Sequence, residues 1–394
     1  MQIPVVTTMR KLAHPFQVLF SELAQRSLDA SFSSTFDPSG RFISAEVKGR
    51  RYWYFDTQDS QGRRKRTYVG PMADVEITKR VEAFRELKDD IRTRRKMVST
   101  LVNQAGLPKP DRTAGDIVEA LANAGFFRMR GVLVGTVAFQ TYPALLGIHL
   151  SETAMMTGDT DFAQFRSISV AIDDTMPPIL DVLKEVDPSF APIPHVSGRP
   201  ASTQFMSSSR FKVEFLTPNR GTDEHNDRPA LMPALGGAAA QPLRFLDFLI
   251  FDPRRTVMLH RAGIPVNVPA PERYAVHKLI VSTRRRTEDD GSAKSRKDLW
   301  QAQQLMEAMI ELRMNDDLAE AFAEAMDRGP SWKAAISSAL HRLPTESCDK
   351  IIRGLREGLE RLSIDPERYL GSQGSGTDLG NTGKSTDDDE AYRP

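Results

Sequence analysis

The stretch from Gly131 to Leu150 constrains the fold most, because it runs for 20 residues without a formally charged side chain. Uninterrupted, that length is enough to span a bilayer. It is interrupted, however, by Thr136, Gln140, Thr141 and Pro143. Gly131-Val132-Leu133-Val134 reads as a buried strand that breaks at Gly135-Thr136 into a helix through Val137-Ala138-Phe139. A break of this kind offers backbone N–H groups and a hydroxyl where a helix begins, an arrangement that favours anionic phosphate.

Two further segments bring carboxylates. In Met156-Thr157-Gly158-Asp159-Thr160-Asp161-Phe162-Ala163, strand alternation puts Asp159 and Asp161 on one side of the chain. Arg210-Phe211-Lys212-Val213-Glu214-Phe215-Leu216-Thr217-Pro218 alternates in the same way, with Glu214 on the face opposite Val213 and Phe215. If the two strands are neighbours, three carboxylates converge. Such a cluster repels itself and needs a cation, and its hard oxygen donors suit Mg²⁺ or Mn²⁺. Two such ions, about 3.5–4 Å apart, can stabilise both oxygens of an in-line phosphoryl displacement.

Gly135-Thr136, then Asp159-Thr160-Asp161, then Glu214 resembles the signature of the DNA polymerase β-like nucleotidyltransferase superfamily. The surrounding text is similar to a bacterial branch of it, as are Gly49-Arg50-Arg51-Tyr52-Trp53-Tyr54 and Tyr68-Val69-Gly70-Pro71, so the likeness covers about residues 40–340. The resemblance implies that Asp159 and Asp161 hold two metal ions and that Glu214 completes a metal site near the acceptor hydroxyl. It implies that Gly135 and Thr136 contact the triphosphate of an NTP. Glu stands here where the superfamily more often has Asp, and the gap from Thr136 to Asp159 is longer than in minimal members. The helical text Pro271-Glu272-Arg273-Tyr274-Ala275-Val276-His277-Lys278-Leu279, with Lys294-Ser295-Arg296-Lys297-Asp298, resembles the segment after the catalytic domain in related enzymes. There a lysine approaches the triphosphate, a role that falls to Lys278, and a later Lys-Asp pair helps order the site. Taken by themselves, Lys297 and Asp298 read as a surface ion pair.

Ahead of this region, Phe16–Leu28 has helical spacing and Ser31 to Ser39 is Ser-rich. Residues 42–55 and 63–71 are β-type runs around Asp59-Ser60-Gln61-Gly62, which predicts a small antiparallel sheet. Between Lys48 and Arg66, seven bases (Lys48, Arg50, Arg51, Arg63, Arg64, Lys65, Arg66) face two acids and interleave with Tyr52, Trp53 and Tyr54. That face could grip a phosphate backbone and stack bases; equally, it could be a solvated hairpin. Ile77, Val81, Phe84, Leu87 and Ile91 predict a long helix from Asp74 to about Gln104, ended by Pro108 and Pro110. Ala114 to Ala124 reads as a short helix.

Helices are also predicted after Pro271, over Ser295–Leu312, and over 316–327, 331–341 and 346–362. The composition beyond Gly371 predicts a disordered acidic tail. The expected architecture is α+β. It comprises an N-terminal region (1–110) with the basic hairpin and long helix, a mixed-sheet nucleotidyltransferase core (111–270), a helical domain (271–370) and the tail (371–394).

The formal net charge of +1 over 394 residues argues against a uniformly basic chain. Cys348 stands alone, which excludes an intramolecular disulfide and suits a reducing cytoplasm, and residues 1–20 lack the apolar core of a signal peptide. His195 and His225 read as loop residues, and Ser207-Ser208-Ser209 has no base at motif spacing for hydrolase chemistry. The expected function is NMP transfer from an NTP, ATP included, to a hydroxyl of RNA, protein or a small molecule, without a membrane partner. Two other classes fit parts of the pattern. One is a nucleic-acid-binding protein working through the basic module. The other is a metal-dependent glycosyltransferase using Asp159-Thr160-Asp161, which leaves Gly135-Thr136 and Glu214 without a role.

Overall fold

A computed structural model describes residues 10–30, 40–47, 50–58, 64–150, 158–171, 175–194, 202–219, 228–285 and 291–371. Lys48, Arg63, His195, His225 and the expected tail from residue 372 lie outside the described residues. Helix α1 (His14–Ala30) comes first, followed by strands β1 (Arg41–Val47), β2 (Arg50–Gln58) and β3 (Arg64–Pro71) and helix α2 (Val75–Asn103). The run expected to be one strand folds back on itself, so the small sheet has three antiparallel strands in the order β1-β2-β3. One face of it packs on α2. Phe55 and Phe42 set their rings edge-on to Phe84, and Trp53 Nε1 donates to Thr78 Oγ1 at 3.1 Å.

Next come α3 (Arg112–Asn123), β4 (Val132–Val134), α4 (Gly135–Phe139), α5 (Tyr142–Leu146), β5 (Asp159–Ala163), α6 (Arg166–Ala171) and α7 (Ile179–Val186). They are followed by β6 (Ala191–Pro192), β7 (Gln204–Met206), β8 (Lys212–Pro218), β9 (Ala230–Leu231), β10 (Ala239–Leu243) and α8 (Leu246–Leu249). Asp111 starts α3, its side chain accepting from the Ala114 N–H at 3.0 Å, a cap of the kind worth about 1 kcal/mol. The main sheet runs β4-β5-β8-β10-β9, with β7 also pairing with β8 and β6 with β7. The β5–β8 and β8–β10 pairs are parallel, and β4–β5 and β10–β9 are antiparallel. The sheet is therefore mixed and the fold is α+β, as the sequence predicts.

A two-stranded sheet, β11 (Arg254–Met258) and β12 (Ile264–Val268), leads into the helices α9 (Pro271–Ser282), α10 (Gly291–Glu311), α11 (Asn315–Asp327), α12 (Pro330–Leu340), α13 (Thr345–Arg361) and α14 (Glu367–Leu370). One hydrophobic cluster runs from Ile117 and Leu121 through Leu133, Phe162 and Phe215 to Leu279, Met306, Phe322, Ile336 and Leu355. Burying each such side chain contributes roughly 1.5–3 kcal/mol relative to exposure. The sheet and the α9–α10 pair thus share a core, which fixes the helices against the strands that carry the acids. A second cluster joins α1, the end of α2 and β11 through Leu23, Leu101 and Val257. No helix among the described residues is long and apolar enough to cross a membrane.

Candidate active site

The apolar stretch breaks as its sequence suggests, and the structure supplies two reasons why the break is a glycine. Gly135 has φ +69°, a backbone conformation that side-chain-bearing residues adopt only with strain. A Cβ on it would also lie 2.5 Å from Asp161 Oδ2. Val134 faces Asp161 across the β4–β5 ladder, so the turn sits directly over that carboxylate.

The expected strand neighbours are hydrogen-bonded partners. β5 pairs with β8 so that Asp161 stands opposite Glu214 and Asp159 opposite Lys212. On the other face Phe162 stacks on Phe215, ring centroids 5.6 Å apart, which holds that register from the core side. Burial, then the charges of Asp159 and Glu214, push the Asp161 carboxyl up to about 7, against the opposing pull of Lys278 and Lys212. The Glu214 carboxylate accepts from Gln204 Nε2 at 2.7 Å and pairs with Lys212 Nζ at 3.1 Å. Among the described residues, Asp159, Asp161 and Glu214 do not bring ligand atoms within 4.8 Å of one another. The set fits a hard divalent cation: oxygen donors only, like charges that a cation would relieve, and a glycine whose missing side chain leaves the room that the Asp161 carboxylate takes.

Helices α9 and α10 wall the site. The Tyr274 hydroxyl donates to the Gly135 carbonyl at 2.9 Å and lies 3.0 Å from the Gln301 side-chain amide. One turn further along α9, Lys278 Nζ lies 5.3 Å from the Tyr274 ring centroid and donates to Asp298 Oδ1 at 2.5 Å. Arg285 Nε bonds the other Asp298 oxygen at 2.9 Å. Burial would raise the Asp298 carboxyl, but Lys278 and Arg285 hold it below the usual carboxylate range. Asp298 is therefore not half of a surface ion pair with Lys297. It is 3% exposed and anchors Lys278 instead. Lys297 is half-buried; burial and the charge of Lys278 lower its pKa against the attraction of Asp159, Asp298 and Asp161.

Sequence reasoning gave no role to Tyr274, Gln301, Lys212, Gln204 or Arg285. The signal for two of them was present. Tyr274 and Lys278 are four apart on a helix, and Lys212 and Glu214 share a strand face.

The basic residues occupy a different sheet. Arg50 and Arg51 are exposed on β2, and Arg51 Nη2 donates to Ser44 Oγ at 3.0 Å. Arg64 and Arg66 on β3 both bond the Asp56 carboxylate, Arg64 through Nε at 2.9 Å and Arg66 through Nε at 2.8 Å. Those hydrogen bonds, that of Arg66 first, hold Asp56 well below the usual carboxylate range. Lys65 lies between them on β3.

A third cluster was not singled out in the sequence. Asp116, Glu119 and His260 bring ligand atoms within 4.8 Å of one another. Arg261 already pairs with both carboxylates, at 2.7 and 2.8 Å, and His260 Nε2 lies 2.8 Å from Asp116.

A nucleotidyltransferase family model matches residues 112–327, more than half of the chain. The protein belongs to that family. The matched region includes Gly135, Thr136, Asp159, Asp161, Glu214, Lys278 and Asp298, and leaves out the β1–β3 sheet. No curated protein and no solved structure gives a significant match. Membership supports transfer of a nucleotidyl group with an NTP as donor.

Proposed function

We propose that the protein transfers a nucleoside monophosphate from an NTP to a hydroxyl and releases pyrophosphate, with the chemistry at Asp159, Asp161 and Glu214. The observation that carries this reading is the register of Asp161 with Glu214 beside a glycine turn whose missing side chain makes room for the Asp161 carboxylate. These three acids would hold Mg²⁺ or Mn²⁺. Bound there, such cations neutralise the triphosphate and the charge that develops on the pyrophosphate.

The chain's own residues do the rest. Glu214 positions the acceptor hydroxyl, whose oxygen bonds to the α-phosphorus as the bond to the β-phosphate's bridging oxygen breaks; pyrophosphate leaves and the hydroxyl proton passes to solvent. Gly135 and Thr136 hold the triphosphate from the turn, and Lys278 supplies a point charge towards it. Tyr274 fixes the Gly135 carbonyl, so the turn is held before substrate arrives. The single cysteine suits action in a reducing cytoplasm.

The test is incubation with each α-labelled NTP and Mg²⁺ alongside the Asp161→Asn variant. Label should move to an acceptor with the wild-type chain, and the variant should lose at least a hundredfold in rate while keeping a cooperative melt. Undiminished transfer by the variant would sink the mechanism. Binding of Mn²⁺ alone, followed by its EPR signal, gives a readout separate from turnover and should weaken in the same variant.

A further inference from the structure

We infer that the face of the β1–β3 sheet turned away from α2 is a platform for a single-stranded polynucleotide, which serves as the acceptor. The inference rests on the transferase reading above and names the substrate class for it.

The two faces of this sheet differ in kind. Trp53 and Phe55 turn towards α2, so strand alternation puts Tyr52 and Tyr54, both half-buried, on the other side. Two residues of strand rise separate them by about 7 Å. The Arg66 guanidinium lies 5.8 Å from the Tyr54 ring centroid. On that side of the three strands the register and alternation put four bases, Arg41, Arg50, Arg64 and Arg66, against one acid, Asp56.

Asp56 does not cancel this surplus so much as organise it. It is 5% exposed beneath Arg64 and Arg66, whose side chains are 56% and 42% exposed. Each guanidinium spends its Nε and one terminal nitrogen on Asp56, and a guanidinium has five donors. The remaining N–H groups are held in a fixed plane beside Tyr54, where a phosphate can be met. Aromatic faces among fixed cations suit unpaired bases, whose π-faces a duplex hides.

Position argues for a polymer over a small acceptor. The sheet is anchored on α2 at Thr78 and Phe84, while α2 meets the rest of the protein from Asp90 onward, where Arg26 Nη1 of α1 bonds Asp90 Oδ1 at 3.2 Å, Arg94 Nη1 bonds the Ala262 carbonyl at 3.0 Å and Leu101 joins the second core cluster. The six residues from 84 to 90 span roughly 9 Å of helix. The platform also lies outside the 112–327 region matched to the family, so it is an addition to the shared catalytic part.

The test is fluorescence anisotropy of a labelled 12-nucleotide single-stranded RNA with the full chain in the absence of NTP, beside a duplex of the same length. The single strand should bind more tightly than the duplex. Joint Tyr52→Ala and Tyr54→Ala should weaken it by roughly tenfold or more, and joint Tyr→Phe changes should keep it, which separates lost stacking from lost folding. Joint Arg64→Ala and Arg66→Ala should flatten the slope of log affinity against log salt by about 1.4. Equal binding of duplex and single strand, or unchanged binding by the alanine pair, overturns the platform. Strand binding by a wild-type chain that labels some other acceptor and never the RNA overturns the acceptor role. Failure of the transferase reading would show differently, as no label on any acceptor.

Discussion

Asp161 and Asp56 are both aspartates on β-strands, and the two sheets treat them in opposite ways. On the main sheet, burial and two neighbouring carboxylates push Asp161 up to about 7. On the small sheet, Arg64 and Arg66 close on Asp56 and hold it well below the usual range. One environment leaves a charge uncompensated and the other satisfies it. An arrangement like that around Asp161 is one that a bound cation would relieve. The Asp56 arrangement is complete in the folded chain, and it orders the arginines that hold it.

The sharpest way to break this contrast is to remove each carboxylate's charge in the metal-free protein. An acid with a raised folded pKa binds its proton more tightly folded than unfolded. Its stability is therefore fullest below the unfolded value near 3.8, and it falls as pH rises through about 7. Asp161→Asn should thus raise metal-free stability at pH 8 by up to about 4 kcal/mol at about 1.36 kcal/mol per pK unit, and the gain should vanish near pH 4. Urea melts across pH test this; an equal or lower midpoint at pH 8 would place Asp161 among satisfied groups like Asp56.

Gly135→Ala should act in the other direction. A left-handed backbone costs an alanine about 1–2 kcal/mol, and its Cβ displaces the Asp161 carboxylate. Nucleotidyl transfer should fall with the melting temperature, and a variant that kept full activity would show that the Gly135–Asp161 contact is incidental.

Asp56→Asn should produce the smallest shift, a modest loss of stability, because its arginine partners reach water and can be solvated. As a carboxylate with a lowered folded pKa, Asp56 contributes stability that is present above the unfolded value and lost as pH falls below it. The deficit of Asp56→Asn relative to wild type should therefore persist at neutral pH and shrink only below the unfolded value near 3.8, opposite in sign to the gain expected for Asp161→Asn at pH 8.

Much of the fold was legible along the chain because its signals are local. The helix expected over 316–327 is α11, Asn315–Asp327, and the one expected from Asp74 to Gln104 is α2, Val75–Asn103. Apolar periodicity and terminating prolines need no distant partner to be read. The small sheet was legible as β-structure, but its third strand was not, since a fold-back within one β-type run changes no residue's propensity. At the site, the order Gly135-Thr136, Asp159-Thr160-Asp161, Glu214 was visible. The partners of Lys278 were not. Lys297 and Asp298 are adjacent in sequence and read as a pair, whereas packing of α9 on α10 gives Asp298 to Lys278 and Arg285.

By itself the sequence determined which residue types stand on which strand faces. The alternation at Asp159 and Asp161 and at Glu214, and the glycine at the end of an apolar strand, follow from backbone geometry with a period of two. Only the tertiary structure decided that β5 and β8 lie side by side in the register that sets Asp161 against Glu214. It also decided which carboxylate is crowded and which is paired. Charge on a side chain is local, but its energy depends on burial and on neighbours brought from far along the chain. The same residue type is therefore crowded by carboxylates in one sheet and holds two arginines in another.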